Sequence, residues 1–387
     1  MPVRSCTCGD IVEAHMDGNP LLKLRTRGQS VWLDDIHRRM LADGTLARMI
    51  ETDGLAGLTS NPAIFAQAIM SHVEYKSSVA ELLPRADRAS ELYEAIVLDD
   101  IRRAADLFEP VYRRAEGGDG FVSLEVSPHL AHDSQGTAAE GRRLWARLER
   151  GNVMIKVPGT PAGLAAIRVL TAEGVNVNVT LLFSPARYRQ VAEAFMAGLE
   201  DRVARGAGIR DIVSVASFFL SRIDTAVDRL LDEHAGQGRG EARALRGRTA
   251  ATLAAQAYDV YGSIVASERW RELARRGVRP QRLLWASTST KDARYSDIKY
   301  VEDFVAIDTV STQPFETLAA YRDHGKPGAG LAAAREDTPR VLRELAALGI
   351  DLDALTQQLE EEGVRKFLDP FDELQRWLEA RRAGRAP

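Results

Sequence analysis

Short apolar runs rich in Val, Ile and Leu recur along the chain, each followed by a stretch with helical spacing. Continuous apolar runs mark strands buried on both faces, and their alternation with helices marks a parallel sheet. Eight runs stand out: Ser30–Asp34 (SVWLD), Gly57–Asn61 (GLTSN), Gly120–Glu125 (GFVSLE), Val153–Lys156 (VMIK), Val175–Thr180 (VNVNVT), Ile212–Ser217 (IVSVAS), Leu283–Thr288 (LLWAST) and Phe304–Thr309 (FVAIDT). The spacers between them differ in length. A long insertion runs from Asn61 almost to Gly120, and its second half, ELYEAIVLDDIRRAADLFEPVYRRAEGGDG, carries apolar residues at helical intervals. After Arg222, EARALRGRTAATLAAQAYDVYGSIVASERWRELARRG reads as one long and one shorter helix behind the glycine loop HAGQGRG. Beyond the eighth run, GKPGAGL is a connection, and two or more helices end in FDELQRWLEARRA. The pattern predicts an α/β protein, a (β/α)8 TIM barrel with inserted and C-terminal extra helices. Residues 1–27 read as a leader or helical extension and 28–387 as a single barrel domain.

Composition narrows the function classes. A chain of 387 residues with 45% apolar and 27% charged residues has enough length for one barrel with additions. A net charge of −4 without a basic run argues against nucleic acid, so a phosphate-bearing substrate needs a local cationic pocket. No apolar run approaches the roughly 18 to 20 residues of a membrane span, and the N-terminal stretch MPVRSCTCGDIVEAHMDGNP has no apolar signal-peptide core. The expected address is the cytoplasm, with no membrane partner. Cys6 and Cys8, near His15, lack the second pair that a zinc site needs, so neither metal nor cofactor is expected.

In NVMIKVPGTPAG, Lys156 interrupts an otherwise apolar strand. Burying an unpaired ammonium costs several kcal/mol on the order of its desolvation, so the residue needs a reason to be there. The other runs also end on or just before polar residues: Asp34, Asn61, Glu125, Asn178 with Thr180, Ser217, Ser287 with Thr288, and Asp308. In a (β/α)8 barrel the C-terminal strand ends converge on one mouth, where active sites lie. Turn and cap chemistry would account for Asp34, Ser217, Ser287 or Thr288 taken singly. It accounts poorly for Lys156, Glu125 and Asn178 together. A lysine amine among carboxylates, without a metal-ligand cluster, suggests attack on a carbonyl to form a Schiff base. Such an amine must be uncharged, and desolvation lowers the pKa of a buried lysine by about 3 to 5. The alternative is a structural salt bridge from Lys156 to Glu125 or Asp34.

The segments SVWLDDI, GLTSNPAIF, VSLEVSPHLAHD, NVMIKVPGTPAGLAAI, GVNVNVTLLFS, VASFFLSRID, LLWASTSTKD and DTVSTQP together resemble transaldolase in its longer bacterial form, from about Gly28 to the C-terminal helices. The resemblance implies a cofactor-free transferase of pentose-phosphate-type sugar metabolism. Such an enzyme moves a dihydroxyacetone unit from sedoheptulose 7-phosphate or fructose 6-phosphate to an aldose phosphate, as a monomer or homodimer. Lys156 matches the family's nucleophile, and Asp34 the acid that takes the C4 hydroxyl proton. Asp35 is disfavoured as the base because successive strand side chains point to opposite faces. The resemblance gives Glu125, with Thr180 holding a water, the proton shuttling of carbinolamine dehydration. Asn61 and Asn178 would hydrogen-bond the retained enamine. In related fructose-6-phosphate aldolases the position of Glu125 is typically glutamine and that of Phe219 typically tyrosine; this chain has the transaldolase residue at both. Phosphate is expected near Arg222 and Ser217, with Ser287, Ser289 and Lys291 from the next strand end. Either Ser289 or Lys291 would stand where shorter family members place an arginine. Arg222 paired with Asp224 as a surface residue is the competing reading. For the whole chain, the competitors are a dihydroxyacetone-utilising aldolase, a relative with another acceptor, and a non-catalytic phosphosugar-binding barrel.

Four further motifs point elsewhere and are set aside. Asn178-Val179-Thr180 fits an N-glycosylation pattern but lies in a predicted interior strand. His129 and His132 lack a third convincing ligand. GKPGAG lacks the GK[ST] ending of a phosphate loop and reads as a turn. The alanine-rich helix around Thr249–Ala266 reads as a surface packed on the barrel or a neighbour.

Overall fold

A computed structural model of the protein describes residues 18–384. Eight parallel strands close into a barrel in chain order: β1 (Gln29–Leu33), β2 (Gly57–Thr59), β3 (Phe121–Glu125), β4 (Val153–Pro158), β5 (Val177–Leu182), β6 (Ser214–Phe219), β7 (Arg282–Ala286) and β8 (Thr309–Gln313). Closure is made by β1 on β8, from Gln29 opposite Thr309 to Leu33 opposite Gln313. The first seven strands follow the predicted runs to within a few residues.

The eighth is displaced. FVAIDT is a loop in which Phe304 and Val305 are buried, Phe304 with its ring against Trp285 and Tyr300, while Ile307 and Asp308 are exposed. Asp308 has φ 56°, a left-handed conformation that interrupts extended chain, and the strand begins at the next residue. Asp308 therefore sits at the N-terminal end of β8, away from the other polar strand ends. The strand itself is TVSTQ, whose register with β1 and β7 is set by ladder bonds rather than by apolar bulk.

Several strand-to-helix turns share one local device. Asn61-Pro62, Thr160-Pro161 and Ser184-Pro185 each place a capping side chain before a proline at the first helical position. The caps accept the backbone N–H of Ile64, Gly163 and Arg187, so the chain reverses abruptly at the mouth. The insertion after β2 forms three helices, ending in the long Ala89–Arg114, and the chain after Arg222 forms Ser221–Gly236, Thr249–Val265 and Glu268–Ala274. GKPGAG connects Phe315–His324 to Leu331–Ala347. No helix among the described residues is long and apolar enough to cross a membrane.

The final helix, Leu352–Arg382, packs against helices Pro62–Ser71 and Ala89–Arg114, and also meets β5 and helix Ser221–Gly236. It thus crosses the C-terminal mouth. Gly363 permits this: a Cβ there would come within 2.8 Å of Leu181 Cδ2 at the end of β5.

The opposite end of the barrel is closed by a polar plug. Arg282 donates to Ser30 Oγ (2.9 Å), Asp119 Oδ1 (2.9 Å) and the Gly118 carbonyl (2.8 Å), and Ser30 and Trp32 donate to Asp119. Trp32 lies over Gly57, where a Cβ would meet its ring at 2.5 Å. Asp119→Ala should leave Arg282 half-buried without its carboxylate and lower stability by about 2 kcal/mol. Urea unfolding of the variant checks this, and an unmoved midpoint would show that the plug contributes nothing.

Candidate active site

The register of the barrel sets Glu125 beside Lys156 and Lys156 beside Asn178 on three consecutive strands. Lys156 Nζ lies 3.0 Å from Glu125 Oε2 and donates to the Ser60 carbonyl (3.1 Å), with both charged side chains about 5% exposed or less. Lys156 is the one charged partner of Glu125 Oε2, which meets no other polar group among the described residues. Burial raises the Glu125 pKa, with the Lys156 charge opposing it. Thr180 Oγ1 is also buried without a partner. Next to Thr180, Leu181 has φ 63° and the β5–β6 register shifts, a bulge of the kind that re-aims a side chain near a site.

Asp34 follows β1, and its backbone N–H bonds the Gln313 carbonyl at 2.8 Å. Thr59 Oγ1 donates to Asp34 Oδ1 at 2.7 Å and sits 2.7 Å from Thr312 Oγ1. Thr59 has one hydroxyl proton, so Thr312 must be the donor in the second bond. Burial raises the Asp34 pKa, opposed by the Lys156 charge, the Thr59 bond and the Arg222 charge. Asp35 does not face away as strand alternation suggests. It lies beyond the last residue of β1, lines the same cavity, and is pushed up to about 6 by burial and by the Asp34 charge.

A cavity of about 770 Å³ opens at the mouth and is lined by Asp34, Asn61, Lys156, Thr180, Ser217, Phe219, Arg222, Ser287, Ser289 and Lys291, among others. Glu125 and Asn178 are not in its wall. Asn178 is fully buried, with its amide donating to Ser123 Oγ (3.0 Å) and accepting from Ser217 Oγ (2.7 Å). Asn61 spends its carbonyl oxygen on the helix cap at Ile64. Ser287, in a left-handed conformation at φ 55°, pairs its hydroxyl with Ser221 at 2.9 Å. Lys291 donates to Ser289 Oγ at 2.6 Å.

Arg222 does not pair with Asp224, which instead accepts from the Ala250 N–H and the Tyr300 hydroxyl. Its guanidinium lies 5.2 Å from the Phe219 ring centroid and 6.0 Å from that of Phe367, and its Nη1 is buried without a partner among the described residues. Burial lowers the Arg222 pKa. The unpaired donors, the amine and the carboxylates together suit a polyhydroxylated ligand with an anionic end.

A model describing transaldolase/fructose-6-phosphate aldolase matches residues 31–378. The chain belongs to the transaldolase/fructose-6-phosphate aldolase family. A transaldolase from Thiobacillus denitrificans is 47% identical over 347 residues, covering 90% of this chain and 96% of the relative. One from Parafrankia is 46% identical over 92% of this chain and 96% of its own, and transaldolase 2 of a Nostoc species is 41% identical over 94% and 97%. These transaldolases support transaldolase activity, a transferase reaction, for the chain.

This family member also carries cavity residues that the strand-end pattern did not single out: Thr59, Thr312, Asp35, Lys366 and Phe367, and the stacked pair His37 and His72 with ring centroids 4.6 Å apart. Thr59 lies inside the run GLTSN and could have been found there; Lys366 and Phe367 lie on a helix whose sequence gives no sign of the mouth. Among the described residues no group of three or more His, Cys, Asp or Glu is placed to hold a metal. His129 pairs instead with Asp372 at 2.7 Å, and Cys6, Cys8 and His15 lie outside the described residues.

Folding raises the Asp35 pKa from 3.8 to about 6, so the folded chain holds that proton more tightly than the unfolded one. This contribution to stability is present at pH 4 and is lost as pH rises through about 6. Asp35→Asn should therefore stabilise the protein at pH 7.5 by on the order of 1 kcal/mol and have little effect at pH 4. Urea midpoints at the two pH values test it; equal effects at both would show a freely solvated carboxyl.

Proposed function

We propose that Lys156 is the Schiff-base nucleophile of a dihydroxyacetone transfer between sugar phosphates. The 3.0 Å approach of its Nζ to Glu125, in a site almost without solvent, supports this reading most directly. The amine must lose a proton to attack, and Glu125 is the adjacent acceptor. Attack on C2 of the donor ketose gives a carbinolamine. Its hydroxyl leaves as water when Glu125 returns the proton, and the iminium forms. Asp34, held by Thr59, then takes the proton of the C4 hydroxyl. The C3–C4 bond breaks, the shortened aldose phosphate departs, and the bonding electrons flow into the iminium to leave an enamine on Lys156.

The enamine attacks the aldehyde carbon of an acceptor aldose phosphate, Asp34 returns its proton to the new hydroxyl, and water releases the product from Lys156. Asn61 and the Thr180 hydroxyl, unpartnered among the described residues, suit the hydroxyls of the retained three-carbon unit, and Asn178, just behind the wall and bonded to Ser217, would reach them through its uncommitted amide hydrogen. Arg222, Ser217, Ser287, Ser289 and Lys291 suit the phosphate. Residues 28–387 act as one barrel domain after a leader or helical extension over 1–27, in the cytoplasm, as a monomer or homodimer that sedimentation would distinguish. Steady cleavage of donor without acceptor would instead favour an aldolase, and phosphosugar binding without turnover a binding protein.

Borohydride reduction with fructose 6-phosphate should leave an adduct on Lys156, located by peptide mass spectrometry, and Lys156→Met should yield neither adduct nor transfer. Asp34→Asn should still be trapped but transfer about 10²- to 10⁴-fold more slowly. An active Lys156→Met enzyme would remove the mechanism.

A further inference from the structure

Besides Lys156 and Arg39, which pair with Glu125 and Asp43, three cations line the cavity from three separate elements: Arg222 at the start of helix Ser221–Gly236, Lys291 in the loop after β7, and Lys366 on the C-terminal helix. None of the three forms a salt bridge among the described residues, although most arginines elsewhere on the chain do. The Lys291 pKa is lowered by burial and then by the charges of Arg222 and Lys366, so Lys291 lies within the fields of both. Among the described residues no carboxylate is in ion-pair contact with any of the three, although the charges of Asp34, Glu362 and Glu125 reach Arg222, and a bound dianion relieves the repulsion among the cations.

The residue after Lys366 points at the reacting amine. Phe367 is buried, with its ring centroid 5.4 Å from Lys156 Nζ and 6.0 Å from the Arg222 guanidinium carbon. One ring thus neighbours both the amine and the Arg222 guanidinium. The helix is pinned on both sides of it. Upstream, Glu360 takes two bonds from Arg187 (2.9 and 3.3 Å), and Gly363 lies one turn before Phe367 on the same face, against Leu181. Downstream, Asp372 meets His129 at 2.7 Å, and Phe371 sets its ring edge-on to Tyr93, 5.3 Å between centroids.

We propose that the C-terminal helix is a working part of the active site, in which Lys366 joins Arg222 and Lys291 on the substrate phosphate and that contact holds Phe367 over Lys156. Lys366 is a binding residue and Phe367 a positioning residue. Binding energy from the remote phosphate is thereby used to keep water from the amine and its enamine. The proposal rests on the Schiff-base reading above.

The test compares wild type, Lys366→Ala, Lys366→Arg and Phe367→Ala, using fructose 6-phosphate and the phosphate-free ketone dihydroxyacetone. Lys366→Ala should raise KM for fructose 6-phosphate by about 10- to 100-fold, the cost of one charge-assisted contact. Borohydride trapping by dihydroxyacetone should fall far less, and Lys366→Arg should recover most of the loss. In wild type, added inorganic phosphate should accelerate trapping by dihydroxyacetone, and both alanine variants should lose that acceleration. An equal loss with both ketones, an unchanged KM, or no phosphate activation in wild type would overturn the proposal while leaving Lys156 as nucleophile. Absence of any wild-type adduct would remove both.

Discussion

Lys156 and Glu125 meet at 3.0 Å in a nearly dry place, and each charge is tolerable there only because of the other. Taking either ion out of water costs several kcal/mol on the order of its desolvation, and removing one partner of such a pair costs about 3 to 5 kcal/mol. The register of β3 on β4, which sets these two residues side by side, is therefore under electrostatic as well as hydrophobic constraint. The pairing that steadies the barrel also places a carboxylate where an attacking amine needs a proton acceptor. The salt-bridge and nucleophile readings of Lys156 are thus two aspects of one arrangement.

Around that pair the polar groups form layers. Asn178 and Ser217 are bonded to each other beneath the cavity, and Thr312, Thr59 and Asp34 form a chain along one wall. Such relays fix side chains within a fraction of an ångström, which acid–base chemistry requires. Two non-glycine residues in left-handed conformations, Leu181 and Ser287, flank the mouth. Each is held in a costly conformation by its surroundings, Ser287 through its bond to Ser221.

The legibility of the chain varied with the physics involved. Strands buried on both faces must be apolar, so seven were readable, and Lys156 stood out because it broke that rule. The eighth was misplaced because FVAIDT has the composition of a buried strand, whereas TVSTQ lines a polar interior and is held by its neighbours' ladders. Asp308 was drawn into the strand-end row by that error. Asp35 was disfavoured as the base by strand alternation, which stops applying once β1 has ended at Leu33. The competing reading of Arg222, a surface residue paired with Asp224, gives way to the two aromatic rings beside its guanidinium.

From residue types and spacing alone came the barrel class and the gathering of Lys156, Glu125, Asp34, Ser217 and Ser287 at one end, while Arg222 and Ser289 were added by the family resemblance. The barrel class and that gathering follow from local rules, because strand burial and the convergence of strand ends in a closed barrel need no knowledge of distant contacts. Only the tertiary structure decided that Glu125 touches Lys156, that Thr59 holds Asp34, and that Phe367 comes from more than two hundred residues away to meet Lys156, with Lys366 beside it on the cavity wall. An amphipathic helix announces which face it buries but not against what. That depends on where the rest of the chain leaves room, here at Gly363 beside Leu181.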